Sequence, residues 1–117
     1  MRKVEESLAS RLSLVIKNNG TGVFSVGGNT VINSSPQSIA VTLHGNEIAS
    51  YDKDKKQLYL DNCGYATNVT ASRLNVILKS FGLPHLAKVK GETTLFINRE
   101  TGEIVGEDKV TLNVNNN

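Results

Sequence analysis

Between Val41 and Phe81 the chain changes its hydrophobic period once, and that change limits its fold more than any other feature. Ile39, Val41 and Leu43 alternate with Ala40 and Thr42, the two-residue period of a strand buried on one face. Gly45-Asn46 marks a turn, and Glu47 to Tyr51 reads as a second strand. Asp52-Lys53-Asp54-Lys55-Lys56 is a charged turn leading to a third strand, Leu58-Tyr59-Leu60. Beyond Asp61-Asn62-Cys63-Gly64 the period lengthens. Leu74, Ile77, Leu78 and Phe81 recur at i, i+3, i+4 and i+7, which predicts a helix over about 69–81. Thr67 or Asn68 suits its N-cap, Gly82 suits the C′ position, and Pro84 blocks continuation. The apolar face of such a meander is most simply covered by the helix that follows it.

The flanks extend this plan. Leu8, Leu12, Val15 and Ile16 share one helical face within Val4 to Lys17, with Glu5 and Glu6 at the positive end of the helix dipole and Lys17 at the negative end. Ser13 to Ile16 is also compatible with an extended strand. Val23-Phe24-Ser25-Val26 and Thr30-Val31-Ile32 read as a hairpin about Gly27-Gly28-Asn29, where a tight turn needs positive φ. After the helix, Leu86 to Lys90 and Thr93 to Asn98 read as strands about Gly91, and Glu103 to Val105 and Lys109 to Val114 as a pair behind them. The expected fold is a single α+β domain over 1–114. It has an N-terminal helix and an antiparallel β-meander with hairpins packed against one central helix, and residues 115–117 form a frayed tail.

Bulk composition narrows the function classes. The 117 residues are 38% hydrophobic and only 5% aromatic, with no Trp, so the core must rest on Val, Ile and Leu. The net charge is +2, and the 13 basic residues are scattered among 11 acidic ones rather than gathered into the dense patch of a dedicated DNA binder. The single cysteine, Cys63, cannot form an internal disulfide, which fits a reducing compartment. No apolar run has the length of a membrane span, and Met1 to Glu6 does not read as a signal peptide.

Few residues suggest chemistry. His44 and His85 are far apart in sequence, and Asp52 and Asp54 lack the remaining ligands of a calcium loop, so neither a metal nor a cofactor is expected. Cys63 near a helix start, with His44 as base, is the one nucleophile pair the sequence offers, set against a small packed thiol. Walker and dinucleotide-binding glycine motifs are absent, and the expectation is a protein that is not an enzyme. The richer constellation is Tyr65, Thr67, Thr70, Arg73 and Asn75, which crowd the turn into the helix. It reads either as a capped and braced corner or as a small recognition site that also draws on His44. There Arg73 would supply a fork of donors and the helix N-terminus would supply backbone N–H groups to an anion.

Leu43-His44-Gly45-Asn46-Glu47-Ile48-Ala49, Leu58-Tyr59-Leu60, Gly64-Tyr65-Ala66-Thr67 and Arg73-Leu74-Asn75 together resemble a small domain of uncharacterised proteins common in bacteriophage genomes. The resemblance covers about the middle third of the chain. Tyr65 stands where that domain often has Trp, Ala66 where a basic residue is common, and Val69 where Thr is common. The resemblance implies a phage-type accessory factor in the cytoplasm of a bacterial host. Such a factor would bind a host protein complex or an antiviral-defence complex such as CRISPR interference, and block it without catalysis. The alternative is a nucleic-acid or nucleotide binder, with Tyr65 stacking on a base. A shared apolar face or strand edge makes a homo-oligomer a further expectation.

Overall fold

The computed structural model describes residues 3–114; the tail expected to fray at 115–117 lies outside them. In chain order the elements are α1 (Lys3–Asn18), β1 (Gly22–Gly27), β2 (Thr30–Ser34), β3 (Ser38–Leu43), β4 (Asn46–Asp52), β5 (Gln57–Asp61), α2 (Asn68–Ser80), β6 (His85–Lys90), β7 (Thr93–Asn98), β8 (Ile104–Glu107) and β9 (Lys109–Asn113). Helix and strand assignments follow the two hydrophobic periods. β3 buries Ile39, Val41 and Leu43 and leaves the alternate residues half-buried, and α2 buries Leu74, Ile77 and Leu78 completely. Each of those helix side chains contributes roughly 1.5–3 kcal/mol on burial. Phe81 is the C-cap and rests against Tyr51 with ring centroids 4.7 Å apart. Gly82 follows at φ +70, and the bonds Gly82 N–H to Lys79 O and Leu83 N–H to Leu78 O close the helix as a Schellman motif.

The strands form one nine-stranded sheet in the order β1-β2-β3-β4-β5-β9-β8-β7-β6, antiparallel throughout. Two meanders meet in its middle. The first runs inward from β1 to β5; α2 then carries the chain to the far edge, and the second runs back from β6 to β9. The last two strands pair with each other, as the sequence suggests, but only through Glu107↔Lys109; each makes its longer ladder elsewhere, β8 beside β7 and β9 along the whole of β5. The reason is phase. Val110 and Leu112 alternate in step with Leu60 and Leu58, so this register puts four apolar side chains on one face of the sheet.

That inner face, together with Leu8, Leu12 and Val15 of α1 and the apolar stripe of α2, makes one core. Helix α2 touches both the sheet and α1, so it is buried on more sides than its stripe alone requires: Thr70, Ala71, Arg73 and Val76 are covered as well. A β-bulge in β4 interrupts the alternation. Opposite the step from Val41 to Thr42, register passes from Ala49 to Glu47, and the extra residue, Ile48, turns inward beside Ala49. At the β8–β9 turn Gly106 is hemmed in, because a Cβ there would lie 2.7 Å from the carbonyl oxygen of Lys109.

A cleft at the start of the central helix

Three chain segments converge at the N-terminus of α2. One is the β3–β4 turn with His44, held at φ +52 while its N–H donates to Asn29 O at 2.8 Å. Another is the loop from Asp61 to Thr67, and the last is the first turn of α2. Between them lies a cleft of about 380 Å³ lined by Leu43, His44, Asn46, Ile48, Asn62, Tyr65, Thr67, Val69 and Thr70. The lining is mostly apolar with a few polar atoms, which is the usual make-up of a recognition pocket. Tyr65, 55% exposed, and Val69, 39% exposed, stand among the lining residues as large side chains open to solvent.

The loop that carries Tyr65 is held by its own hydrogen bonds. Asp61 Oδ1 accepts from Cys63 N–H at 2.8 Å, Asn62 Oδ1 accepts from Gly64 N–H at 3.0 Å, and Asn62 O accepts from Tyr65 N–H at 2.9 Å. The first two are Asx-type turns and the third closes a backbone turn, and together they hold Cys63 and Gly64 at positive φ in succession. Asn62, 2% exposed, anchors the loop to the second meander. Its amide donates to Thr94 Oγ1 and to Asp108 Oδ1, both at 3.0 Å, and Asp108 Oδ1 also accepts from Thr94 N–H at 3.0 Å. In the sequence Asn62 stands just past the third strand, in Asp61-Asn62-Cys63-Gly64. A signal was present: Leu58, Leu60 and Asn62 share one parity, so an amide falls where the alternation demands a buried side chain.

The structure brings His44, Tyr65, Thr67 and Thr70 to this cleft and takes Arg73 and Asn75 elsewhere. Thr67 is the N-cap, its Oγ1 accepting from Thr70 N–H at 3.2 Å. Arg73, 5% exposed, donates from Nε to Thr30 Oγ1 at 3.2 Å and from Nη1 to Ser72 Oγ at 3.5 Å, and the Ser72 hydroxyl donates to the Glu5 carboxylate. The guanidinium therefore braces α2 against β2, and the Ser72 hydroxyl beside it ties α2 to α1. Asn75 faces the sheet edge, where it donates to Ala87 O at 2.9 Å and accepts from Ala87 N–H at 2.7 Å. It occupies the backbone groups that a further strand would need beside β6.

Cys63 lies next to the cleft rather than in its lining. Its thiol donates to Glu47 O at 3.2 Å and to Asp61 O at 3.7 Å. Burial, and then the nearby Asp61 and Glu47 carboxylates, push its pKa up, which disfavours the thiolate a nucleophile needs. Among the described residues no group of three or more His, Cys, Asp or Glu side chains is gathered as a metal site would require, and no helix is long and apolar enough to cross a membrane.

A family model described as Kyanoviridae Gp96 protein matches residues 1–113, nearly the whole chain. The chain belongs to that family. No curated protein and no solved structure matches it. The Gp96 family is phage-associated, so the phage-type origin implied by the middle third of the sequence extends across both meanders and both helices. The cleft is thus a feature of a small phage-associated α+β chain.

Proposed function

We propose that this member of the Gp96 family is a non-catalytic binding protein that acts in the host cytoplasm, where it holds and blocks a host complex or an antiviral-defence complex of the CRISPR-interference kind. The observation that carries the reading is the cleft at the start of α2, an apolar hollow with Tyr65 and Val69 exposed in its lining. Exposed aromatic side chains next to a mostly apolar hollow are the anchors that dominate protein recognition. A loop fixed by its own hydrogen bonds spares the partner much of the ordering cost of binding. The raised pKa of Cys63 and the carbonyl partners of its thiol weigh against a Cys63–His44 enzyme. We further propose that Leu43 to Asn46 and Gly64 to Thr67, which border the cleft, form with Arg73 to Asn75 the common pattern of the family.

Exposed Tyr65 also favours a nucleic-acid reading, with the ring stacked on a base. That reading is the weaker one, because Arg73 and Asn75, its intended phosphate and polar contacts, already bond within the fold.

The test is affinity capture with tagged full-length chain from phage-infected bacterial cells, read by mass spectrometry, alongside Tyr65→Asp. The expected result is one bacterial complex held by the parent chain and reduced at least about tenfold by Tyr65→Asp, as for loss of an aromatic hot spot. Equal capture by both chains, or capture of no partner, overturns the proposal. Affinity for DNA or RNA that weakens steeply with salt and with Tyr65→Asp would transfer the site to the nucleic-acid reading.

A further inference from the structure

The outer face of the sheet carries apolar side chains that the core does not use. On β6 and β7 the inward residues are Ala87, Thr94 and Phe96, all buried, so Leu86, Lys88, Leu95 and Ile97 point the other way. Leu86, Leu95 and Ile97 are half-buried and Ile104 is 54% exposed, and none of the four belongs to the core or packs against it. Register arranges them in rows across three adjacent strands. Leu86 pairs with Ile97, and Ile97 with Ile104; Lys88 pairs with Leu95, and Leu95 with Glu107. One row is wholly apolar, and the next runs from cation through leucine to anion, with both charged side chains exposed.

We propose that this face binds a second copy of the chain, sheet against sheet, about a two-fold axis lying along β7. The argument is the symmetry of the charge pattern. Such an axis lays β6 of one copy over β8 of the other and β7 over β7. Leu86 then meets Ile104, Ile97 meets Ile97, and Leu95 meets Leu95. Lys88 meets Glu107 twice, once in each direction. An axis across the strands, midway between the two rows, would instead lay the apolar row on the charged one. Isologous contacts require this kind of self-complementarity, and face-to-face sheets with nearly aligned strands are a standard packing. The cleft at the start of α2 includes the inward side chains Leu43, Ile48 and Thr70, so the face used here is a separate surface. Three strands make a small patch beside the areas of obligate dimers, so the association is concentration-dependent.

Sedimentation equilibrium on the full chain tests this. The parent chain should approach twice its 12.7 kDa mass at roughly 0.5 mM and return toward monomer on dilution, as a patch smaller than an obligate interface implies. Lys88→Glu and Glu107→Lys should each raise the dimer dissociation constant at least about tenfold, because each sets like charges face to face. The double exchange should restore it to within about threefold of the parent, since the pairing is only reversed. Circular dichroism on each variant confirms that these exposed substitutions leave the fold intact. A parent chain that stays monomeric, single exchanges without effect, a double exchange that fails to restore, or assembly beyond the dimer each overturns the proposal. So does a monomer that captures a different protein through Ile97, lost in Ile97→Asp.

Discussion

Truncating Asn62 to Ala should destabilise the whole molecule, because this buried amide adds to the β5–β9 ladder a side-chain tie between the cleft loop and the second meander. The substitution removes the donations to Thr94 Oγ1 and Asp108 Oδ1 and the acceptance from Gly64 N–H. At about 1 kcal/mol of net stability per hydrogen bond, the loss is about 3 kcal/mol. Unfolding entropy near 2.1 cal/mol/K per residue gives about 0.25 kcal/mol/K for this chain, so the midpoint should fall by about 12 °C. Urea titration followed by circular dichroism measures the first quantity and a thermal scan the second. Asn62→Asp separates the network from simple loss of volume. It places a carboxylate where the amide nitrogen lies 3.0 Å from the Asp108 carboxylate, so it loses two donors and adds repulsion. Burial and repulsion raise the pKa of the introduced carboxyl above its unfolded value of about 3.9. A raised folded pKa gives stability that is fully present below the unfolded value and is lost as pH rises through the folded one. The deficit of Asn62→Asp relative to the parent should therefore shrink as pH falls. A loss under about 1 kcal/mol for Asn62→Ala, or a deficit for Asn62→Asp that does not change with pH, would refute the assignment of this amide as that tie.

Asn75→Ala should cost about 2 kcal/mol through its two bonds to Ala87, and it should also uncover the edge of β6. Light scattering should then show aggregation near the unfolding midpoint earlier than in a control of equal stability, and matched curves would count against the edge-covering role. For His85, Nδ1 is buried and has no hydrogen-bond partner among the described residues, and burial lowers its pKa from 6.5 although Glu100 opposes the shift. A lowered folded value means that the unfolded chain binds the proton first, so stability present above pH 6.5 is lost as pH falls. Urea midpoints at about pH 7.5 and about pH 5.5 should differ more for the parent than for His85→Gln, and equal differences would remove His85 from the acid response.

The candidate site was legible in part, and its division has a physical cause. Residues clustered in sequence about a helix start do not share a direction in space, because each step along a helix turns the side chain by about 100°. Thr67 and Thr70, three apart, stay together at the cap, whereas Arg73 swings to β2 and Asn75 swings to β6. His44 joins the cleft from another hairpin, brought there by the sheet rather than by its neighbours in the chain. Asn62 and Ile48 line the cleft for a related reason. One is a polar group at a buried parity, and the other is the extra residue of a bulge that alternation cannot foresee.

By itself the sequence determined the local periods. Alternation at Ile39 to Leu43 and at Leu58 to Leu60, the stripe from Leu74 to Phe81, and the stop at Gly82 and Pro84 each depend on neighbours within a few residues, so they set the elements wherever the chain goes. Tertiary structure decided which strands lie side by side. β9 meets β8 across a tight turn through one residue pair, but its full ladder is with β5, half the chain away, because that register stacks Val110 and Leu112 with Leu58 and Leu60 in the core. From that pairing follow the tie at Asn62, the cleft beside it, and the apolar rows on the far face, none of which any local stretch of residues specifies.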